Sequence, residues 1–373
     1  MIKLYLPDGF ENHEEIQNIY DRLAKKIYEQ QGPDKITYTY QGEQGSLDSP
    51  ASIKRFLLAK DFYDYQIGQN FGFIRDLMQL RGNVKLSSVI HNTSTSEKVR
   101  LFCKKYGASE YQQFYNLLRG YEERTIGEFR QEKVSDEEEI RRIFDYKQLQ
   151  AGQRHAILNR MDIPVCPYCN MNYTTSFGAD DRERNTADID HFYLKSEYPE
   201  YALCLFNFVP ACPVCNQKIK GTKSMTRETH VYPHQEGFEG KSHFQVRNLL
   251  DILLGACEHA EIELKSQKDD CRVKHSIEDF KLNERYKVFA YVAEELIEKA
   301  QIYNDAYAES LSQTIRGSTD KTEESLSQTI GRLTDKTSVK YAVFGAMLSE
   351  EEYGKLSLGK LKQDILRQLR VFD

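Results

Sequence analysis

The chain has 373 residues and a formal net charge of −6 at pH 7, so overall positive charge is excluded as a source of nucleic-acid affinity. Its length suggests two or three domains with a sizeable core. No apolar run reaches the roughly 18 to 20 residues of a membrane helix, and the first residues lack the apolar segment of a signal peptide. We therefore expect a cytoplasmic protein without membrane contact, and the eight cysteines fit a reducing compartment.

Residues 1–155 are predicted to form an N-terminal helical domain that follows a short strand at residues 2–6. Ser94 with Glu97, and Ser135 with Glu138, have the spacing of a capping box, which predicts helix starts at both serines. The stretch 41–50 is rich in turn-forming residues and separates the first helices from the next. No catalytic constellation is visible in this part, so we interpret it as a scaffold or a docking surface.

The middle of the chain contains two C-x-x-C pairs, CPYC and CPVC. Two residues between ligands let both sulfurs of a pair face one metal ion, and two such pairs make a tetrahedral zinc site. Disulfides are disfavoured because nothing in the sequence marks secretion. The sequence thus predicts a structural Zn²⁺ site whose ligands are Cys166, Cys169, Cys212 and Cys215. Cys204 lies in an apolar run and is predicted to be a small buried side chain.

Polar residues fill the segment between and after the cysteine pairs. Asp190 and His191 are adjacent in the sequence DIDH, Asn207 lies in LFNFVP, and Asn216 directly follows the last cysteine. Together with the cysteine pairs, this pattern resembles the HNH endonuclease family in its cysteine-bearing branch. The resemblance covers about the middle quarter of the chain.

The resemblance implies a ββα-metal fold, in which a hairpin carries Asp190 and His191 and a short helix follows. It also implies that Asp190 and Asn216 hold a catalytic Mg²⁺ or Mn²⁺, since these ions prefer hard oxygen ligands. His191 would be the general base, and Asn207 would pin the loop that orients it. The whole chain would then be an α+β protein: a mainly helical chain that encloses an HNH nuclease module at residues 156–245, stapled by the four-cysteine zinc site.

Two further features of the module have open interpretations. Asp188 shares a strand face with Asp190, so it could bind metal or support the loop. Basic residues near the proposed last helix could neutralise nucleic-acid phosphates, or they could form an ordinary solvated face. The predicted phosphate-binding residues are Lys195, Lys218, Lys220, Lys223 and Arg227. His230, His234 and His243 are left out of the catalytic set.

Residues 246–373 are predicted to form a C-terminal helical region, because apolar residues recur at helical spacing. This region contains a tandem 15-residue repeat, in which ESLSQTIRGSTDKT from Glu309 recurs as ESLSQTIGRLTDKT from Glu324. Two copies are too few for a solenoid. We interpret the repeat as a duplicated polar helix and turn.

The motif lies in the stretches VCPYCNMNY, ADIDHFYLKSEYP and LFNFVPACPVCNQKIKG. These resemble the HNH proteins of bacterial anti-phage systems, notably the nuclease subunit of Septu-type and retron-linked systems. This resemblance implies a separate ATPase partner. The chain itself has no phosphate-binding loop, because Gln235 stands where that motif needs a glycine before GFEGKS. The sequence therefore predicts an HNH endonuclease of anti-phage defence that hydrolyses nucleic acid, with DNA favoured; the alternative is a non-catalytic zinc ribbon that binds nucleic acid or protein.

Overall fold

The computed structural model describes residues 1–31, 36–67, 77, 80, 82–92, 96–105, 118–177, 184–267, 270–319, 336–345 and 348–372. Helices dominate this part of the chain, and the strands form small antiparallel sheets. The predicted combination of a mainly helical chain with a small amount of sheet is confirmed. None of the described helices combines the length and the apolar character needed to cross a membrane.

The described helices are α1 (Glu14–Gln30), α2 (Pro50–Leu57), α3 (Leu86–Ile90), α4 (Glu97–Lys105), α5 (Ile126–Ile143), α6 (Ala151–Met161), α7 (Leu249–Leu253), α8 (Cys271–Asp279), α9 (Leu282–Tyr286), α10 (Ala290–Ile302), α11 (Asp305–Thr319), α12 (Lys336–Phe344), α13 (Glu350–Gly354) and α14 (Gly359–Gln368). A π-helix (Val214–Lys220) lies between α6 and α7. The described strands are β1 (Thr37–Tyr40), β2 (Glu43–Ser46), β3 (Tyr65–Ile67), β4 (Ser176–Phe177), β5 (Arg184–Asn185), β6 (Asp188–His191), β7 (Phe208–Ala211), β8 (Ser242–Val246) and β9 (Ile262–Ser266).

Helix α1 shows how the N-terminal part is built from its sequence. Its buried apolar residues recur every three or four positions, which places them on one face, and that face packs against α2. The ring of His13 accepts a hydrogen bond from the Glu15 backbone and caps the first turn. Burial of this face, rather than helix propensity alone, therefore stabilises α1.

The N-terminal part, predicted to be helical after its first strand, also contains a small sheet. Strands β1, β2 and β3 form an antiparallel sheet in the order β2-β1-β3. A two-residue turn joins β1 to β2, and both of its residues, Gln41 and Gly42, have positive φ. Such a turn matches the twist of a hairpin. The turn-rich stretch 41–50 therefore contains this turn and strand β2.

Two more local predictions need correction. Residues 2–6 do not form a strand, although the backbone amide of Ile2 donates to the Pro167 carbonyl at 2.8 Å. Helix α5 does not begin at Ser135 but runs through it, because Thr125 and Glu128 form the capping box at its start. The other predicted start, Ser94, lies outside the described residues, and α4 is described from Glu97 onward.

The N-terminal part, the middle segment and the C-terminal region share one hydrophobic core. Tyr20 of α1 donates its hydroxyl to the Leu203 carbonyl at 3.1 Å, and Tyr286 of α9 donates to the Cys169 carbonyl at 2.6 Å. The carboxylate of Asp364 in α14 accepts from the backbone of β8. The middle segment is thus enclosed by helices from both ends of the chain. The first repeat copy begins within α11, whereas residues 320–335, which carry most of the second, lie outside the described residues.

Candidate metal centre and hydrolytic site

A hairpin followed by a π-helix positions the residues of the predicted site. Strands β6 and β7 pair antiparallel, with Asp190 opposite Val209 and His191 opposite Phe208. The chain then passes through the second cysteine pair into the π-helix, which carries Asn216 and Lys220. The predicted order of a hairpin with Asp190 and His191, followed by a short helix, is therefore present in the structure.

The four cysteines of the two C-x-x-C pairs converge on one point. All are buried, and their sulfurs lie within 4.8 Å of one another. The sulfurs of Cys169 and Cys212 are 4.0 Å apart. A tetrahedral ion with Zn–S bonds of about 2.3 Å would place its sulfurs roughly 3.8 Å apart. The cluster therefore suits a tetrahedral metal such as zinc.

Hydrogen-bond donors surround this cluster and fit it for negatively charged thiolates. The Asn172 amide donates to the sulfur of Cys212 at 3.2 Å, and the Met171 backbone donates to Cys169 at 3.4 Å. Arg285 of α9 directs its guanidinium at the sulfur of Cys215, 3.4 Å away. Donors of this kind hold ligands in place and offset the charge that four thiolates bring to one ion. A helix far along the sequence thus belongs to the surroundings of the metal centre.

His191 is buried, with 5% of its surface exposed. Its Nε2 lies 2.9 Å from the Ala202 carbonyl, and its ring meets the rings of Tyr146 and Phe208 edge-on. A carbonyl can only accept, so Nε2 carries the proton and Nδ1 is the nitrogen able to take one. Burial lowers the pKa of His191 to about 4, so the imidazole is neutral at physiological pH.

Asn207 occupies the place that the sequence predicted for a loop-pinning residue. Its amide oxygen accepts from the Tyr193 backbone at 2.7 Å, and its amide nitrogen donates to the carbonyls of Tyr193 and Tyr201, both at 3.0 Å. These bonds fix the loop whose Ala202 carbonyl holds His191. Asn207 is fully buried and acts on His191 through this loop.

Asp190 and Lys220 form a buried ion pair that the sequence did not indicate. The Lys220 ammonium lies 2.8 Å from each carboxylate oxygen of Asp190 and also donates to the His191 carbonyl. The Tyr168 hydroxyl donates to the same carboxylate at 2.6 Å. Only 2% of Lys220 is exposed, so its predicted place in a surface phosphate-binding cluster is wrong. An ammonium taken out of water needs a carboxylate partner, and Asp190 is that partner.

Asn216 contacts Asp188 rather than Asp190. Its side-chain amide donates to Asp188 at 3.1 Å, and the Gln217 amide donates to the same oxygen at 2.8 Å. Asp188 and Asn216 are both partly exposed, whereas Asp190 is buried. Of these three residues, only Asp188 and Asn216 are therefore open to solvent.

The other predicted phosphate-binding residues divide into two groups. Lys195 and Lys218 are exposed. Lys223 is paired with Asp279 at 2.9 Å, and Arg227 stacks on Tyr63 while it contacts Glu228. The structure thus does not form a single cluster of free cations at the end of the π-helix.

Three residues near the site were not predicted from the sequence. Tyr146 and Arg154 lie before the motif, and Tyr168 lies between two metal ligands, where its bond to Asp190 depends on the fold. Of these, only Tyr168 carried a signal in the sequence, which was its place inside the first cysteine pair.

His234 makes the folding stability depend on pH. Its Nε2 donates to the Phe208 carbonyl at 2.8 Å, and its ring contacts Phe206 and Tyr232. Removal from water lowers its pKa to about 4. The unfolded chain, with an ordinary histidine pKa near 6.5, binds the proton first as the pH falls. The folding stability that the neutral His234 contributes is therefore present above pH 6.5, and it is lost as the pH falls from about 6.5 to 4.

We expect His234→Gln to flatten the dependence of unfolding free energy on pH by about 1 kcal/mol per pH unit between pH 6 and 5. Glutamine keeps a donor for the Phe208 carbonyl but takes up no proton. Urea unfolding at several pH values, with zinc content monitored, measures this slope. The exposed His259, replaced in the same way, is the control. Equal slopes in the His234 variant and the unaltered protein would contradict the prediction.

Comparison with protein-family models, with curated proteins and with solved structures gives no match to this chain.

Proposed function

We propose that the protein is a metal-dependent endonuclease of the HNH type that hydrolyses phosphodiester bonds, with DNA as the favoured substrate. The observation that carries this proposal is the placement of a neutral histidine, His191, on a hairpin that a π-helix and a buried four-cysteine cluster hold in position. A separate ATPase partner and a role in anti-phage defence belong to the same proposal and rest on the resemblance alone.

The residues divide the chemistry between them. His191, with its proton on Nε2, offers Nδ1 as a base for the water that attacks phosphorus. Asn207 keeps the Ala202 carbonyl in place and so keeps the imidazole in this tautomer. Asp188 and Asn216 would hold Mg²⁺ or Mn²⁺, which stabilises the charge on the phosphate. Asp190 remains a candidate ligand, although in this structure its carboxylate bonds to Lys220 and Tyr168.

One observation favours a second candidate function. The carboxylate expected to bind the catalytic ion is already neutralised by an internal cation, Lys220, and both partners are buried. A zinc-stapled module that binds nucleic acid or protein without cleavage would be compatible with such a site. The two functions differ in whether any divalent ion produces strand breaks.

The deciding experiment is a cleavage assay with the full chain. Plasmid, linear duplex, single-stranded DNA and tRNA are each incubated with Mg²⁺, Mn²⁺ or EDTA. We expect strand breaks with either ion and none with EDTA, because the oxygen ligands of the site suit hard cations. Binding of nucleic acid without cleavage under all conditions would favour the non-catalytic module instead.

A further inference from the structure

Tyr146, which lies outside the hairpin, contacts the His191 ring and two cationic side chains. The Tyr146 ring centroid lies 4.6 Å from that of His191. The Lys195 ammonium lies 4.7 Å from the same Tyr146 centroid, and the guanidinium carbon of Arg154 lies 5.3 Å from it. Lys195 follows β6, whereas Arg154 comes from the first part of α6. Two separate elements thus bring positive charge to the tyrosine ring that contacts the histidine.

Neither cation forms a direct ion pair with a carboxylate in the part of the chain that the structure describes. Lys220, Lys223 and Arg227 are paired with carboxylates, whereas Arg154 and Lys195 both contact the Tyr146 ring. Although the Lys195 side chain is exposed, partial desolvation of its ammonium lowers the pKa; the Asp145 carboxylate raises it, and the charge of Arg154 lowers it. An anion bound beside both would relieve this repulsion.

Contact with an aromatic ring alone stabilises a pair of neighbouring cations only weakly. A cation–π contact at an exposed site contributes about 0.5 to 1 kcal/mol, whereas a guanidinium binds a phosphate through two parallel hydrogen bonds. The ligand that suits the two cations is therefore a phosphate, and the neighbouring His191 makes a backbone phosphate of the nucleic-acid substrate the natural one.

We propose that Arg154 and Lys195 together bind a backbone phosphate of the nucleic acid next to His191. This inference rests on the proposed nuclease function and adds a substrate-binding residue, Arg154, from the N-terminal helical part. The contact is made to phosphate, so it positions any sequence equally.

The test is nucleic-acid binding in EDTA, where cleavage does not interfere. A fluorescein-labelled DNA duplex is titrated with protein, and the anisotropy gives Kd at several salt concentrations. We expect Arg154→Ala to weaken binding about tenfold and to reduce the slope of log Kd against log salt by about 0.9, the value for one lost phosphate contact. Lys195→Ala should act in the same direction, and Arg154→Lys should restore part of the affinity.

The matched control is Arg160→Ala on the same helix. Arg160 is exposed and paired with Glu15 at 2.8 Å, so its loss changes the charge of α6 equally without touching Tyr146. We expect less than a twofold effect from this variant. If Arg154→Ala binds like Arg160→Ala while the unaltered protein binds and cleaves DNA, the inference fails and the nuclease proposal stands. If the unaltered protein neither binds nor cleaves nucleic acid, both fail together.

Discussion

Cys215→Ala is expected to empty the metal centre and to unfold the segments around it. The variant leaves three sulfurs of a buried four-sulfur cluster, and the Arg285 guanidinium that faces Cys215 loses one of its acceptors. Structural zinc binding is worth about 10 to 16 kcal/mol in small domains, which is comparable to the whole stability of a typical domain. Zinc per protein should therefore fall from near stoichiometric to nearly none, as measured by elemental analysis, and hydrogen exchange should rise at residues 166–172 and 212–221.

Two neighbouring variants separate this effect from general damage. Cys204→Ala removes an equally buried thiol that lies outside the cluster, so it should keep its zinc. Asn216→Ala changes the residue directly after Cys215; it should also keep its zinc, while its activity falls and is partly restored by more Mg²⁺ or Mn²⁺. Equal zinc loss in the Cys204 and Cys215 variants would overturn the metal centre. Equal zinc loss in the Asn216 and Cys215 variants would show that Asn216 does not bind a separate ion.

The metal centre could be predicted from the sequence because its information is local. Two cysteines separated by two residues already face the same way within one turn, so each half of the cluster is encoded in four residues. Only the meeting of the halves depends on the fold. The hairpin is different, since the family resemblance and not a local spacing implied it; the structure pairs the strand that carries Asp190 and His191 with the one following Asn207.

The surroundings of the site could not be predicted in this way. The burial of Lys220 depends on a carboxylate 30 positions earlier in the chain, that of Asp190. A lysine in a basic stretch is usually exposed. Without the fold, nothing distinguished Lys220 from the exposed Lys218 two positions before it. Tyr146 reaches His191, and Arg154 reaches Tyr146, only because the helical N-terminal part packs on the hairpin.

The errors in the N-terminal part have a different physical origin. Glycine and polar residues at 41 and 42 predict a break between helices, yet the same residue types make the tightest hairpin turns. Ser135 and Glu138 have the spacing of a capping box, but a helix that begins earlier, at the Thr125 and Glu128 pair, continues through them. A capping motif marks a helix start only when the preceding residues are not helical.

His191→Gln should abolish most of the cleavage activity while it preserves zinc and nucleic-acid binding. The glutamine amide can still donate to the Ala202 carbonyl, which accepts from Nε2 of His191 at 2.9 Å. It cannot take a proton from water near neutral pH, so the general base is lost. Such a loss lowers turnover by about 10² to 10⁴. Contacts to the rings of Tyr146 and Phe208 are only partly kept, so we also expect a small decrease in unfolding free energy.

Single-turnover cleavage at saturating protein measures the chemical step, and anisotropy in EDTA measures binding separately. The matched control is His234→Gln, because His234 also donates Nε2 to a carbonyl of the site region yet packs against Phe206 and Tyr232 rather than Tyr146. A general base predicts a large loss of rate in the His191 variant alone, with unchanged Kd in both. If both variants cleave at the rate of the unaltered protein, His191 is not the base. If both lose activity and stability in parallel, the buried imidazole of His191 supports the fold rather than the reaction.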